Sequence, residues 1–166
     1  MGCSAGSRTM TIETQVERFD GAVERFLHAV EELSEDQFLA RINGWSPRDI
    51  VAHLIGWNRH VIEGSRQIAR GELPFYDLVP GENYSKVNAA LVRAYASRSR
   101  EKLAAELRIA AHELRAFSTV LAPELWSRDF GVRHGDATVT IENTIDELIA
   151  DYDHHREQIE RLRASG

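Results

Sequence analysis

Apolar residues recur along this chain at alternating steps of four and three, in four separate stretches. In the first, Ile12, Val16, Phe19, Val23, Phe26, Val30 and Leu33 draw one stripe, the pattern of a helix with a single buried face. Glu13, Gln15, Glu17, Arg18 and Glu24 lie between them as a solvated face, and a helix is predicted near 11–33. Ser34 followed by Gln37 is a capping-box pair and predicts a short helical turn. Ser46-Pro47-Arg48-Asp49 opens the second helix: serine caps free N–H groups, proline suits the first helical position, and an acid favours the positive end. Ile50, Leu54, Trp57, Val61 and Ile68 then predict a helix over 46–70, stopped by Gly71 and Pro74. A loop rich in turn formers follows at 71–82 and carries Phe75 and Tyr76. The third stripe, from Val87 through Leu91, Tyr95, Leu103, Leu107, Leu114 and Phe117 to Leu121, predicts a helix over 84–121 that the polar run 97–101 could kink or divide. Pro123 marks a turn, and 126–138 reads as an irregular connection. Ile141, Ile145, Leu148, Tyr152, His155, Ile159 and Leu162 predict the last helix over 140–163. Alternating strand patterns are nearly absent. The fold class implied is all-α, a four-helix bundle with long connections.

Composition adds bounds rather than detail. The chain has 166 residues, 43% hydrophobic and 28% charged, which fits one globular domain with a substantial core. Residues 1–10 are small and polar and read as a flexible, dispensable tail, leaving 11–166 as the domain. The formal charge of -6 lacks the basic footprint of a nucleic-acid binder, so no nucleic-acid partner is expected. One cysteine, Cys3, allows no intrachain disulfide and suits a reducing, cytoplasmic setting. No apolar run reaches the ~18 residues of a membrane span, and no membrane partner is expected.

The chemistry concentrates in three residues. Asp151 and His155 are four apart on the last predicted helix, so they point the same way one turn apart. His53 lies beside the stripe of the second helix. If those helices are neighbours, three ligands for zinc, nickel, manganese or iron converge. Three protein ligands leave positions open, as in a catalytic centre. The plain alternative is a core-edge His155 hydrogen-bonded to Asp151 or Tyr152, with His53 meeting a carbonyl or water. His60 is two turns from His53 and could line the same pocket. His154 points about 100° away from His155 and reads as exposed or supporting. His134 sits in a loop and could cover a pocket mouth. Trp57 reads as core, and Trp45 and Trp126 as packing across the bundle's end. No phosphate loop, GxSxG, CxxC or HExxH is present, and no residue is assigned a catalytic role.

Two segments carry a resemblance to the DinB-like superfamily of four-helix bundles. WSPRDIVAHLIGWNRHV, at 45–61, resembles its helix-two motif, and DYDHHREQI, at 151–159, resembles its helix-four motif His-x-x-x-His-x-x-Gln-Ile. The resemblance spans about 12–163. It implies that His53 and His155 are metal ligands and that Asp151 stands where the family has a histidine. Some members resemble transferases or isomerases that use low-molecular-weight thiols, others metal hydrolases. A branch resembling the ClbS/DfsB proteins detoxifies or sequesters reactive natural products without the metal triad; the LIGW segment (54–57), the Pro-Gly-Glu-Asn loop (80–83) and the long third helix fit it. Three readings follow. One is a metal-dependent enzyme acting on a small electrophile, with His60 or Tyr152 as proton relay and a thiol as candidate co-substrate. The second is a metal-free binding or self-resistance protein, and the third an interaction protein with a degenerate site. The resemblance also implies a homodimer.

Overall fold

The computed structural model describes residues 10–79 and 84–166. The expected tail, apart from Met10, and the Pro80–Asn83 segment lie outside the described residues. Met10 packs partly buried against the core, so it belongs with the body.

Each apolar stripe forms helix. The elements are α1 (Ile12–Glu31), α2 (Glu35–Leu39), α3 (Pro47–Ala69), a 3-10 turn (Phe75–Asp77), α4 (Ser85–Tyr95), α5 (Arg100–Val120), α6 (Pro123–Trp126) and α7 (Ile141–Ala164). The capping chemistry matches the sequence. Ser34 and Ser46 each accept from the backbone N–H three residues on, and Gln37 and Asp49 reach back to them. The third stripe is two helices rather than one. Ser99 adopts an extended backbone and its hydroxyl accepts from the Lys102 N–H, starting a new helix inside the polar run. The irregular stretch before α7 holds a two-residue hairpin, β1 (Arg133–His134) against β2 (Ala137–Thr138), antiparallel with Arg133 opposite Thr138.

Four helices make the bundle. The main packing pairs run α1–α7, α7–α3, α3–α5 and α5–α1, a closed ring in which α3 and α7 are neighbours. The 84–121 stretch that reads as one helix thus supplies α5 to the ring and α4 to its outside, against α3. With partners on three sides, α3 is buried continuously from Ile50 to Gly56 and shows no clean polar face. Gly56 permits the close approach of α4: a Cβ there would lie 2.2 Å from a methyl carbon of Leu91. Gly64, two turns on, gives similar room to the ring of Tyr76.

At one end of the bundle, the buried Trp126 indole N–H donates to Gln15 Oε1 at 2.6 Å. The Gln15 amide nitrogen donates in turn to the Glu142 carbonyl at 2.9 Å. Gln15 therefore ties α1 to α7 and holds the buried Trp126 of α6 at this end of the bundle. No helix among the described residues is long and apolar enough to cross a membrane.

Candidate metal centre and adjoining cavity

The neighbouring positions of α3 and α7 bring His53, Asp151 and His155 together. Their ligand atoms all lie within 4.8 Å of one another. Asp151 sits between the two rings: Oδ2 is 2.8 Å from His53 Nε2, and Oδ1 is 3.3 Å from His155 Nε2. Both histidines are buried, while the Asp151 side chain is about 35% exposed, so the group opens to solvent through its carboxylate. The far nitrogen of each ring meets an amide. His53 Nδ1 is 3.1 Å from Asn88 Oδ1, and His155 Nδ1 is 2.7 Å from Gln158 Oε1. The donor set therefore fits a divalent cation: two Nε2 atoms and a carboxylate face one point, and outer partners orient both rings.

Trp45 forms a lid on the two rings. Its centroid lies 5.0 Å from that of His53 and 6.4 Å from that of His155, nearly parallel to the latter. Asn43 and Gly44 place it there. Both have positive φ (51° and 92°), and Ile42 bridges Trp45 across them, the geometry of a tight reversal that Asn-Gly favours. That signal was present in the sequence and went unread.

Two ionisation shifts follow from this packing. Burial would raise the Asp151 carboxyl, but the hydrogen bonds and charges of His155 and His53 prevail and hold it well below the usual carboxylate range. Burial would lower His155, yet the hydrogen bond and charge of Asp151, with help from Gln158, raise it instead.

A cavity of about 430 Å³ adjoins the cluster. His53, Asp151 and the exposed His154 stand at one end, Thr144 and Glu147 at the other, and Trp57, Tyr76 and Tyr84 form an aromatic wall. Trp57, read as core, is a half-buried wall residue whose indole N–H donates to Asn88 Oδ1 at 2.7 Å. Burial and the nearby charge of Asp77 raise Glu147. Tyr84 holds a positive φ of 61°, a strained state for a bulky residue. Its hydroxyl donates to Asp77 at 2.5 Å.

Two proposed neighbours of the site are placed elsewhere. Tyr152 is fully buried, edge-on to Phe19 and Phe26, with its hydroxyl against the Asn58 amide. It points into the core because one residue along a helix turns the side chain by about 100°. His60 packs against Trp57 and Phe75 and does not line the cavity; burial lowers its pKa. His134 lies 3.9 Å from Asp77 and lines an adjacent hollow that shares Tyr76, Tyr84 and Glu147. Asn88 and Glu147 were missed. A lone amide on α4 and one of many glutamates carry no sequence signal until the packing is known.

A family model described as the DinB superfamily matches residues 18–159. The chain belongs to the DinB superfamily. No curated protein sequence matches it. Solved structures share the DinB fold at low identity. The colibactin self-resistance protein ClbS, in complex with a dsDNA, aligns with TM-score 0.75 and 15% identity over 95% of this chain and 98% of that one. DfsB, described as a sibling lethal factor precursor, aligns with TM-score 0.76 and 18% identity over 95% and 98%. A mycothiol-dependent maleylpyruvate isomerase aligns with TM-score 0.71 and 13% identity over 90% of this chain and 61% of its own. The ClbS complex overturns one expectation. The charge of -6 predicts no nucleic-acid partner, yet a protein of this fold is solved with a dsDNA. Net charge is a whole-molecule sum, whereas binding depends on the local surface presented.

Proposed function

We propose that this protein is a metal-dependent enzyme of the DinB superfamily, acting on a small electrophilic molecule held in the cavity beside His53, Asp151 and His155. The observation that carries the reading is the convergence of three ligand atoms within 4.8 Å at the mouth of a cavity with an aromatic wall. A divalent cation held there, zinc, nickel, manganese or iron, would supply a Lewis acid that makes a water or low-molecular-weight thiol nucleophilic near neutral pH. His53 and His155 offer imidazole nitrogens, and Asp151 offers a hard, charged oxygen in the place where the family has a histidine. Trp57, Tyr76 and Tyr84 exclude water from one side of the substrate. Glu147 and His154 also line the cavity, and they replace Tyr152 and His60 as candidates to hold or pass a proton.

The second reading, a metal-free binding or self-resistance protein, has its own support. Asp151 lies within hydrogen-bond or ion-pair range of both imidazoles, so ring protons can stand where a cation would, and a largely apolar cavity of this size suits a drug-sized ligand. Metal analysis of untagged protein separates the two. About one divalent ion per chain, lost in His53→Ala, is expected. Protein that stays metal-free after exposure to zinc, nickel, manganese and iron, yet binds an apolar ligand tightly, would move the function to the second reading.

A further inference from the structure

We infer that Asn88, locked in place by Trp57, is the positioning residue that fixes His53 in one tautomer and aims its free lone pair at Asp151 and His155. The inference concerns the same site as the proposed function, but its geometry stands without a metal.

The argument starts at the indole. An indole N–H can only donate. It lies 2.7 Å from Asn88 Oδ1, so the atom at that place must accept, and the amide oxygen rather than the NH2 group occupies it. The usual ambiguity of an amide's orientation is thereby removed. The same oxygen lies 3.1 Å from His53 Nδ1. A carbonyl oxygen has two lone pairs and no proton, so it accepts from the indole and favours a hydrogen on His53 Nδ1. In a neutral imidazole the other nitrogen is then bare. That nitrogen is Nε2, 2.8 Å from Asp151 Oδ2. A bare nitrogen facing a carboxylate oxygen sets two lone pairs against each other. The contact is favourable only with a positive centre between them, a cation or a second ring proton. Asn88 thus builds a demand for positive charge into this point of the fold.

The chain positions all three parts. His53 and Trp57 are one turn apart on α3 and face α4 together. The Gly56 notch lets α4 come close enough for Asn88 to reach both. His155 differs. Gln158 meets its Nδ1 at 2.7 Å, but no hydrogen bond among the described residues locks that amide. His53 is the fixed ligand and His155 the adaptable one.

Nitrogen-15 spectra of the imidazoles test this, in chelator-treated protein in alkaline buffer and in zinc-loaded protein, with zinc affinity measured alongside. His53 is expected as the Nδ1–H form. Asn88→Leu should admit the Nε2–H form bonded to Asp151 and weaken zinc by about 10–100-fold. Asn88→Asp, which also accepts from both neighbours, should restore the tautomer. Trp57→Phe, which frees the amide to flip, should give a mixture. Melting curves confirm that each variant is folded, and Asn88→Asp carries the comparison if Asn88→Leu is not. A wild-type His53 in the Nε2–H form overturns the inference, as does a folded Asn88→Leu with unchanged tautomer and affinity. Zinc bound equally by wild type and Asn88→Leu would leave the metal reading standing and remove this one. A tautomer that responds to Asn88 in protein that binds no metal would do the reverse.

Discussion

Asp151 has two jobs that mutation can separate. It offers an oxygen to the site, and it supplies the charge that the two rings face. Asp151→Asn keeps one oxygen and loses the charge, so metal affinity is expected to fall about tenfold or more, and activity with it. Asp151→His supplies a third imidazole in place of the carboxylate and, on the proposed metal reading, is expected to match or exceed wild-type affinity. Titration calorimetry of both variants checks the pair, and an Asp151→Asn that binds as tightly as wild type would remove Asp151 from the ligand set. The same residues set a pH dependence in metal-free protein. The Asp151 carboxyl is held low, so its stabilising effect is present above its unfolded pKa of about 3.9 and is lost as pH falls through the folded value. His155 is raised, so its effect is complete below about 6.5 and is lost as pH rises through its folded value. The chelated protein should therefore melt highest between those limits, with Tm declining from pH 6 to 8. A Tm that climbs over that range would contradict the assigned shifts.

At the scale of elements, glycine and serine decide where helices sit. Alanine at Gly56 would gain about 1 kcal/mol of helix propensity but would place a Cβ 2.2 Å from Leu91. Overpacking of this kind costs about 1–3 kcal/mol, so Gly56→Ala should lower stability on balance and loosen Asn88 from His53. Denaturant melts check the first effect and zinc affinity the second. Ser99→Ala removes the cap that separates α5 from α4 and should cost about 1 kcal/mol; an unchanged Tm would show that the polar run ends the helix by itself. These elements also show how much of the molecule was legible. Four stripes and two serine caps were readable because helical periodicity and capping are local. So was the Asp151/His155 pair, because one turn of helix fixes its spacing. The roles of Trp57, Tyr152 and Asn88 were not. Trp57 falls on the α3 stripe like any core residue, and only the presence of α4 on that side turns it into a wall. Tyr152 adjoins Asp151 in sequence, yet α1 claims it.

At the scale of the whole molecule, the ring α1–α7–α3–α5 and the outer helix α4 carry different parts of the site. His53, Asp151 and His155 stand on ring helices, whose burial is continuous with the core. Asn88 stands on α4, whose main packing partner is α3 and whose only buried residue is Leu91, and Tyr84 immediately precedes it. An element with so little burial opens at lower free energy than the core. Amides of α4 should exchange with solvent deuterium well before those of α3 and α7, and equal protection would show that the bundle opens only as a unit. The outer position of α4 has a consequence for how such a chain can change. Side chains rooted in the core ring cannot be moved without cost to folding, whereas the applied helix can be recut residue by residue. On the proposed function, new substrates would be tried on that removable side while the side that faces the metal is inherited intact.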